Sequence, residues 1–150
     1  MWNNNKSLTL SLVCTKIVIL LLIAIAIVIP FARNTGFFSG SILLREGGVF
    51  FAIILIYLAI IPSMIAMICL HKLLTNIKME QAFTDKTTKL LRIISWACFA
   101  TGIIMFVGTT NSMAFFLLGV IACFIGLILR VVKNVIEAAR EIKDENDFTI

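Results

Sequence analysis

The chain has 150 residues, of which 61% are hydrophobic and 14% charged, with a formal charge of +5 and a pI near 9.3. Soluble domains carry about 45–50% apolar and about 25% charged residues. A chain this short has too little interior to hide such an excess, which excludes an ordinary soluble fold and points to a bilayer as the apolar solvent. Where the basic residues lie therefore matters more than how many there are.

The first apolar run extends from about Leu10 to Phe31, with Lys6 and Lys16 at its entry. Lys16 can snorkel along its own stem. The run is longer than a signal-peptide core, and Pro30-Phe31-Ala32-Arg33 follows it in place of a small-x-small cleavage site, so an uncleaved membrane helix is expected. Cys14 follows Val13, not the small residue that a lipoprotein cysteine needs.

The link Ala32 to Gly48 holds Gly36, Gly40, Gly47 and Gly48 and reads as an irregular loop, with Phe37 and Phe38 dipping into the membrane interface. A second span runs from about Val49 to Leu70 and continues at helical spacing through Leu73, Leu74 and Ile77. Pro62 interrupts the backbone ladder of this helix. It reads as a packing adjustment or, alternatively, a hinge.

Thr84 is placed as the N-cap of the next helix, its hydroxyl accepting from free first-turn amides, and Asp85 suits the positive end of the helix dipole. That helix passes through Leu90 and Leu91 into a third span, about Ile93 to Val107. The turn Gly108–Ser112 is short, so the third and fourth spans should form an antiparallel hairpin. The fourth span, about Met113 to Val132, overruns the membrane: Ile128, Val132, Val135, Ala139 and Ile142 recur at spacings of four, three, four and three, a coiled-coil-like stripe. Arg140 and Asp144 are spaced for a weak helical pair.

About 20 mostly apolar residues cross a bilayer as a helix, and only helices or closed barrels satisfy the backbone there. None of these runs alternates as a barrel strand does. The fold expected is therefore all-α: one integral membrane four-helix bundle over 1–150, with helices about 10–31, 49–77, 84–107 and 113–145. Lys6, Lys16, Lys72, Lys78, Lys86, Lys89, Arg92, Arg130, Lys133, Arg140 and Lys143 fall on one side, against Arg33 and Arg45 on the other. By the positive-inside rule both termini are cytoplasmic, and helices two, three and four extend into the cytoplasm as a helical platform.

Candidate chemistry is sparse. Cys14, Cys69, Cys98 and Cys123 lie on four different helices without metal-ligand spacing and read as apolar filling. The single histidine, His71, sits where helix two leaves the membrane, as a polar boundary residue or a pH sensor. No Asp, Glu, Lys, Arg or His occupies the core of any span, which argues against a proton-coupled exchanger. Gly119, Cys123 and Gly126, with Cys98 and Gly102, offer small faces for close helix packing, inside the bundle or against another copy. The acidic end, Glu137, Glu141, Asp144, Glu145 and Asp147, reads as a solvated face or docking surface, not a catalytic site. No nucleophile–base pair, phosphate loop or metal box is present, so no enzyme, cofactor or metal is expected.

Two stretches carry a resemblance. Leu73-Leu74-Thr75-Asn76-Ile77 through Phe83-Thr84, Leu91-Arg92 and Ser95-Trp96 is one, and the ending Ile142-Lys143-Asp144-Glu145-Asn146-Asp147-Phe148-Thr149-Ile150 is the other. Together they resemble the bacterial membrane family catalogued as domain of unknown function 2975. The resemblance implies four membrane helices over nearly the whole chain and no established activity. It also implies a frequent neighbour, a small Cro-like helix-turn-helix regulator.

The function expected is thus a non-enzymatic regulatory or scaffold protein of the bacterial inner membrane. It would hold that regulator through Glu141, Asp144, Glu145, Asp147, Phe148 and Ile150, without touching nucleic acid itself. A homo-oligomeric channel or small-solute transporter, with Pro62 as hinge, is the alternative. Immunity to a membrane-active peptide is a third reading, since it needs only a compact membrane bundle.

Overall fold

A computed structural model describes residues 4–34, 49–79, 84–110 and 112–148, and the side chains of 6–31, 49–79, 84–110, 112–143 and 145. The described residues are all-α. The helices are α1 (Asn4–Asn34), α2 (Val49–Lys78), α3 (Asp85–Val107) and α4 (Met113–Phe148), with one 3-10 turn, Gly108–Thr110, between the last two. Each α-helix is long and apolar enough to cross a membrane. The coarse architecture is that of a multi-pass membrane protein. The expected loop with Gly36, Phe37, Phe38, Gly40, Gly47 and Gly48 lies outside the described residues.

α1 begins at Asn4, ahead of the apolar run that starts at Leu10. The first amides of a helix have no partner within it, so a start among polar residues is cheaper than one in hydrocarbon. Chain neighbours are spatial neighbours: α1 packs on α2, α2 on α3 and α3 on α4. The two pairs at the ends of this row are built differently.

α3 and α4 meet backbone to backbone. A Cβ added at Gly102 would sit 2.5 Å from Cys123 Sγ and 3.1 Å from the Gly119 carbonyl oxygen, and one added at Gly119 would lie 3.1 Å from the Gly102 carbonyl oxygen. Ser95 Oγ donates to the Gly126 carbonyl oxygen at 2.8 Å, fully buried. The small faces therefore pack α3 against α4 within one chain, as small residues do where lipid supplies no hydrophobic drive. Their use here leaves the other expectation, a seam with a second copy, without those residues. At the turn, Gly108 fits where a Cβ would lie 2.8 Å from the Phe115 ring. Ser112 Oγ accepts from Ala114 N at 3.2 Å and opens α4.

α1 holds α2 by apolar contact and by a hydrogen bond in which Tyr57 Oη donates to the Ala26 carbonyl oxygen at 2.7 Å. Most of the large α1 side chains face outward, among them Leu20, Ile27, Val28 and Phe31. In a bilayer these meet lipid at no cost.

The start of α3 corrects one expectation. Thr84 is the N-cap residue, with extended backbone at φ −120°, ψ 156°, but its hydroxyl makes no cap hydrogen bond. Its carbonyl oxygen accepts from Thr87 N at 3.0 Å and Thr88 N at 3.4 Å, and its Oγ1 faces Thr87 Oγ1 at 3.3 Å. Thr87 is the most deeply buried side chain described, only 1% exposed. A buried hydroxyl needs a partner, and Thr84 is at hand to serve it.

Candidate functional site at the basic end

The two hairpins bring four helix ends together: the start of α1, the end of α2, the start of α3 and the far half of α4. Leu73, Leu91 and Ile94 form a buried core there, with Ile77, Leu90, Leu129 and Ile136 packed against it. α4 stays helical to Phe148, past Lys143, where the stretch long and apolar enough to cross a membrane ends. Arg140 Nη1 donates to Asp85 Oδ1 and fastens this extension to the start of α3. Lys133 pairs with Glu137 one turn along α4.

The expected partner residues divide accordingly. Glu141 and Glu145 are exposed. Asp144, Asp147 and Phe148 belong to α4 by backbone, but their side chains, and Ile150 entirely, lie outside the described residues. So does the Asp144 half of the expected Arg140–Asp144 pair; the Arg140 contact described is the one to Asp85.

The stripe on α4 turns outward. Ile128, Val132, Val135 and Ile142 are all at least 40% exposed, while Leu129 and Ile136, one position further along, pack on the core. Exposed apolar residues inside a bilayer need no explanation. Val135 and Ile142 lie beyond Lys133, among Glu137, Arg140, Glu141 and Lys143. At 62% and 61% exposed, they are open apolar surface on a charged helix.

Two pockets flank this end. One, about 440 Å³, lies between α3 and α4 and is lined by Arg92, Ser95, Trp96, Arg130, Lys133 and Asn134. The Arg130 guanidinium lies 5.6 Å from the centre of the Trp96 ring, within reach of a cation–π contact. The other, about 410 Å³, lies between α2 and α3 and includes His71, Lys72, Lys86 and Lys89. The His71 Nδ1 atom is buried and finds no hydrogen-bond partner among the described residues.

A third cavity, about 430 Å³, lies at membrane depth and is lined by all four helices, with Val18 and Leu22 of α1 facing Met67, Leu70, Cys98 and Ile125. Its polar groups are two hydroxyls. Ser63 Oγ donates to the Ala59 carbonyl oxygen at 2.8 Å and Thr101 Oγ1 to that of Ala97 at 3.0 Å, with 3.4 Å between the two oxygens. Pro62 lies beside this pair, inside an α2 whose helix runs unbroken from Val49 to Lys78. Because both hydroxyl protons are already committed to backbone, the wall is effectively apolar. Among the described residues, no group of three or more His, Cys, Asp or Glu could hold a metal ion.

Sequence reasoning found the charged end and the small faces. It missed the pocket of Arg92, Trp96, Arg130 and Lys133. The signal was present, since Arg92 immediately precedes the third span and Arg130 and Lys133 close the fourth.

The family model described as "Protein of unknown function (DUF2975)" matches residues 17–150, nearly the whole chain, and the chain belongs to that family. Nothing among curated proteins or solved structures matches it.

Proposed function

We propose that this chain is a non-enzymatic, multi-pass protein of the bacterial inner membrane, a scaffold that docks a cytoplasmic protein on the extension of α4. In this reading the basic end, and with it both termini, faces the cytoplasm, following the positive-inside bias. The observation that carries the proposal is the exposed apolar edge of Val135 and Ile142 among the charged residues of the far half of α4. An amphipathic helix that touches the start of α3 through Arg140–Asp85 offers a partner an apolar strip with a charged rim.

The partner's charge follows from the rim. From Glu137 onward there are five carboxylates, Glu137, Glu141, Asp144, Glu145 and Asp147, against two cations, Arg140 and Lys143. A basic surface, such as that of a small helix-turn-helix regulator, is complementary to it. The test is co-purification of the full chain with a small, basic helix-turn-helix regulator of the kind the family resemblance implies. Removal of residues 143–150, or Val135→Glu with Ile142→Glu, should reduce recovery at least tenfold while the protein remains in the membrane. Unchanged recovery would refute docking at this helix.

A second reading is favoured by the cavity shared by all four helices. Its apolar wall suits passage or storage of a small apolar solute rather than an ion. Flux of such a solute into liposomes bearing the protein, blocked by Ala66→Phe in the wall, would favour transport over scaffolding.

A further inference from the structure

The pocket between α3 and α4 has a composition that lipid packing alone does not call for. α3 enters its apolar span just after Arg92, and α4 leaves its own just before Lys133, so the antiparallel pair brings both membrane boundaries to one level. At that level Arg92, Arg130 and Lys133 line one concavity of about 440 Å³, with Ser95, Trp96 and Asn134. The Lys133 charge is balanced by Glu137. Arg92 and Arg130 have no carboxylate partner among the described residues, so the concavity holds two uncompensated guanidinium groups. Trp96 is 59% exposed beside them, with Arg130 over its ring. An exposed tryptophan at the end of a span sits where headgroups meet acyl chains.

Two guanidinium forks converging on one space recognise a phosphate, because each can donate two parallel hydrogen bonds to its oxygens. Asn134 adds a neutral amide donor. We propose that this pocket binds a phosphodiester anion, and that in the membrane its source is the headgroup of an anionic phospholipid whose acyl chains lie along Trp96 and the apolar surface of α3 and α4. Basic pockets between membrane helices at the bilayer surface are a recurrent form of lipid recognition. The neighbouring α2–α3 pocket, with Lys72, Lys86 and Lys89, is also basic and serves as an internal control.

The test uses the full chain in nanodiscs. Trp2→Phe leaves Trp96 as the sole tryptophan, so its fluorescence reports this pocket alone. Brominated phosphatidylglycerol should quench Trp96 more strongly than brominated phosphatidylcholine at equal content. Arg92→Gln and Arg130→Gln should each lower the preference about fivefold, and together they should abolish it. Arg92→Lys with Arg130→Lys keeps the charge but loses the paired donors and should lose most of the preference, whereas full retention would overturn recognition by the guanidinium forks, and Lys86→Gln with Lys89→Gln should leave it unchanged. Equal quenching by both lipids, or an equal loss in the two lysine-to-glutamine changes, would overturn the site in favour of a general basic field. Glycerol phosphate or inorganic phosphate that displaces phosphatidylglycerol at matched concentration would overturn the lipid as its source. A double arginine variant with lost helicity by circular dichroism is replaced by the two single variants, whose partial losses must then add.

Discussion

The α3–α4 pair and the α1–α2 pair solve the same problem with unequal means. α3 and α4 approach until backbone meets backbone, with Gly102 and Gly119 facing one another's carbonyl oxygens and Ser95 bonded to Gly126. α1 touches α2 through ordinary apolar side chains and one tyrosine hydroxyl. Close approach multiplies dispersion contacts, each small, and leaves few ways to rearrange. The first pair is therefore the frame of the molecule, and it carries the basic pocket on its outer side. α1 is the wall most easily moved, and Val18 and Leu22 on it close the membrane cavity.

The largest effect should come from filling the glycine seam. Gly102→Ala places a methyl group 2.5 Å from Cys123 Sγ and 3.1 Å from the Gly119 carbonyl oxygen, so something must shift. Overpacking of this kind costs about 1–3 kcal/mol, against which alanine recovers about 0.5–1 kcal/mol of helix propensity. Adding Cys123→Ala removes the sulfur and should return most of the loss, leaving the carbonyl contact. A double-mutant cycle followed by thermal unfolding in detergent would show this coupling. Additive losses would mean that the seam does not pack as described.

Ser95→Ala comes next. It deletes the hydroxyl that reaches Gly126 across the same seam. Interhelical hydrogen bonds in membranes are worth about 0.6 kcal/mol on average and up to about 1.7, and full burial sets this one near about 1 kcal/mol. Thermal unfolding of Ser95→Ala beside Ser63→Ala would separate a bond that joins two helices from one that returns to its own helix at Ala59. Equal shifts would mean that the Gly126 contact adds nothing specific.

What the sequence made legible follows from how far its signals reach. Four apolar runs and the charges between them are local, and they foretold four long helices with one basic end. The glycine and cysteine positions foretold a close seam, although nothing local said which helix would fill it. Thr84 was legible as a cap position but not in its bonding, because the fate of its hydroxyl depends on Thr87 being buried by other helices. The stripe from Ile128 to Ile142 was legible as apolar. The register that turns Leu129 and Ile136 inward and leaves Val135 outside depends on where α3 lies. The pocket of Arg92, Trp96, Arg130 and Lys133 joins residues from two helices, and only the antiparallel pairing brings them together.

Tyr57→Phe should act more weakly on stability, about 0.6 kcal/mol, but more visibly on motion. Without the bond to Ala26, α1 loses a polar tie to α2, and the cavity wall at Val18 and Leu22 should open more often. Labelling of a cysteine introduced at Leu22 in a Cys14→Ser, Cys69→Ala, Cys98→Ala, Cys123→Ala background would detect it as a faster rate. No change in rate would make α1 as firmly seated as α4 and erase the contrast between the pairs.

The smallest effect tests the contrast at the basic end. Arg140 and Asp85 join the far half of α4 to the start of α3, with side chains 31% and 66% exposed. At that exposure water and salt screen most of the attraction, and about 0.3 kcal/mol is expected from the pair. Global unfolding will scarcely register Asp85→Asn. Local opening will, because a helix end opens at far less than the global free energy. Amide exchange after Ile136 should accelerate in Asp85→Asn at low salt, and the difference should shrink as salt is raised. Exchange before Leu129 should not change, since the glycine seam holds that part of α4 without help from charge.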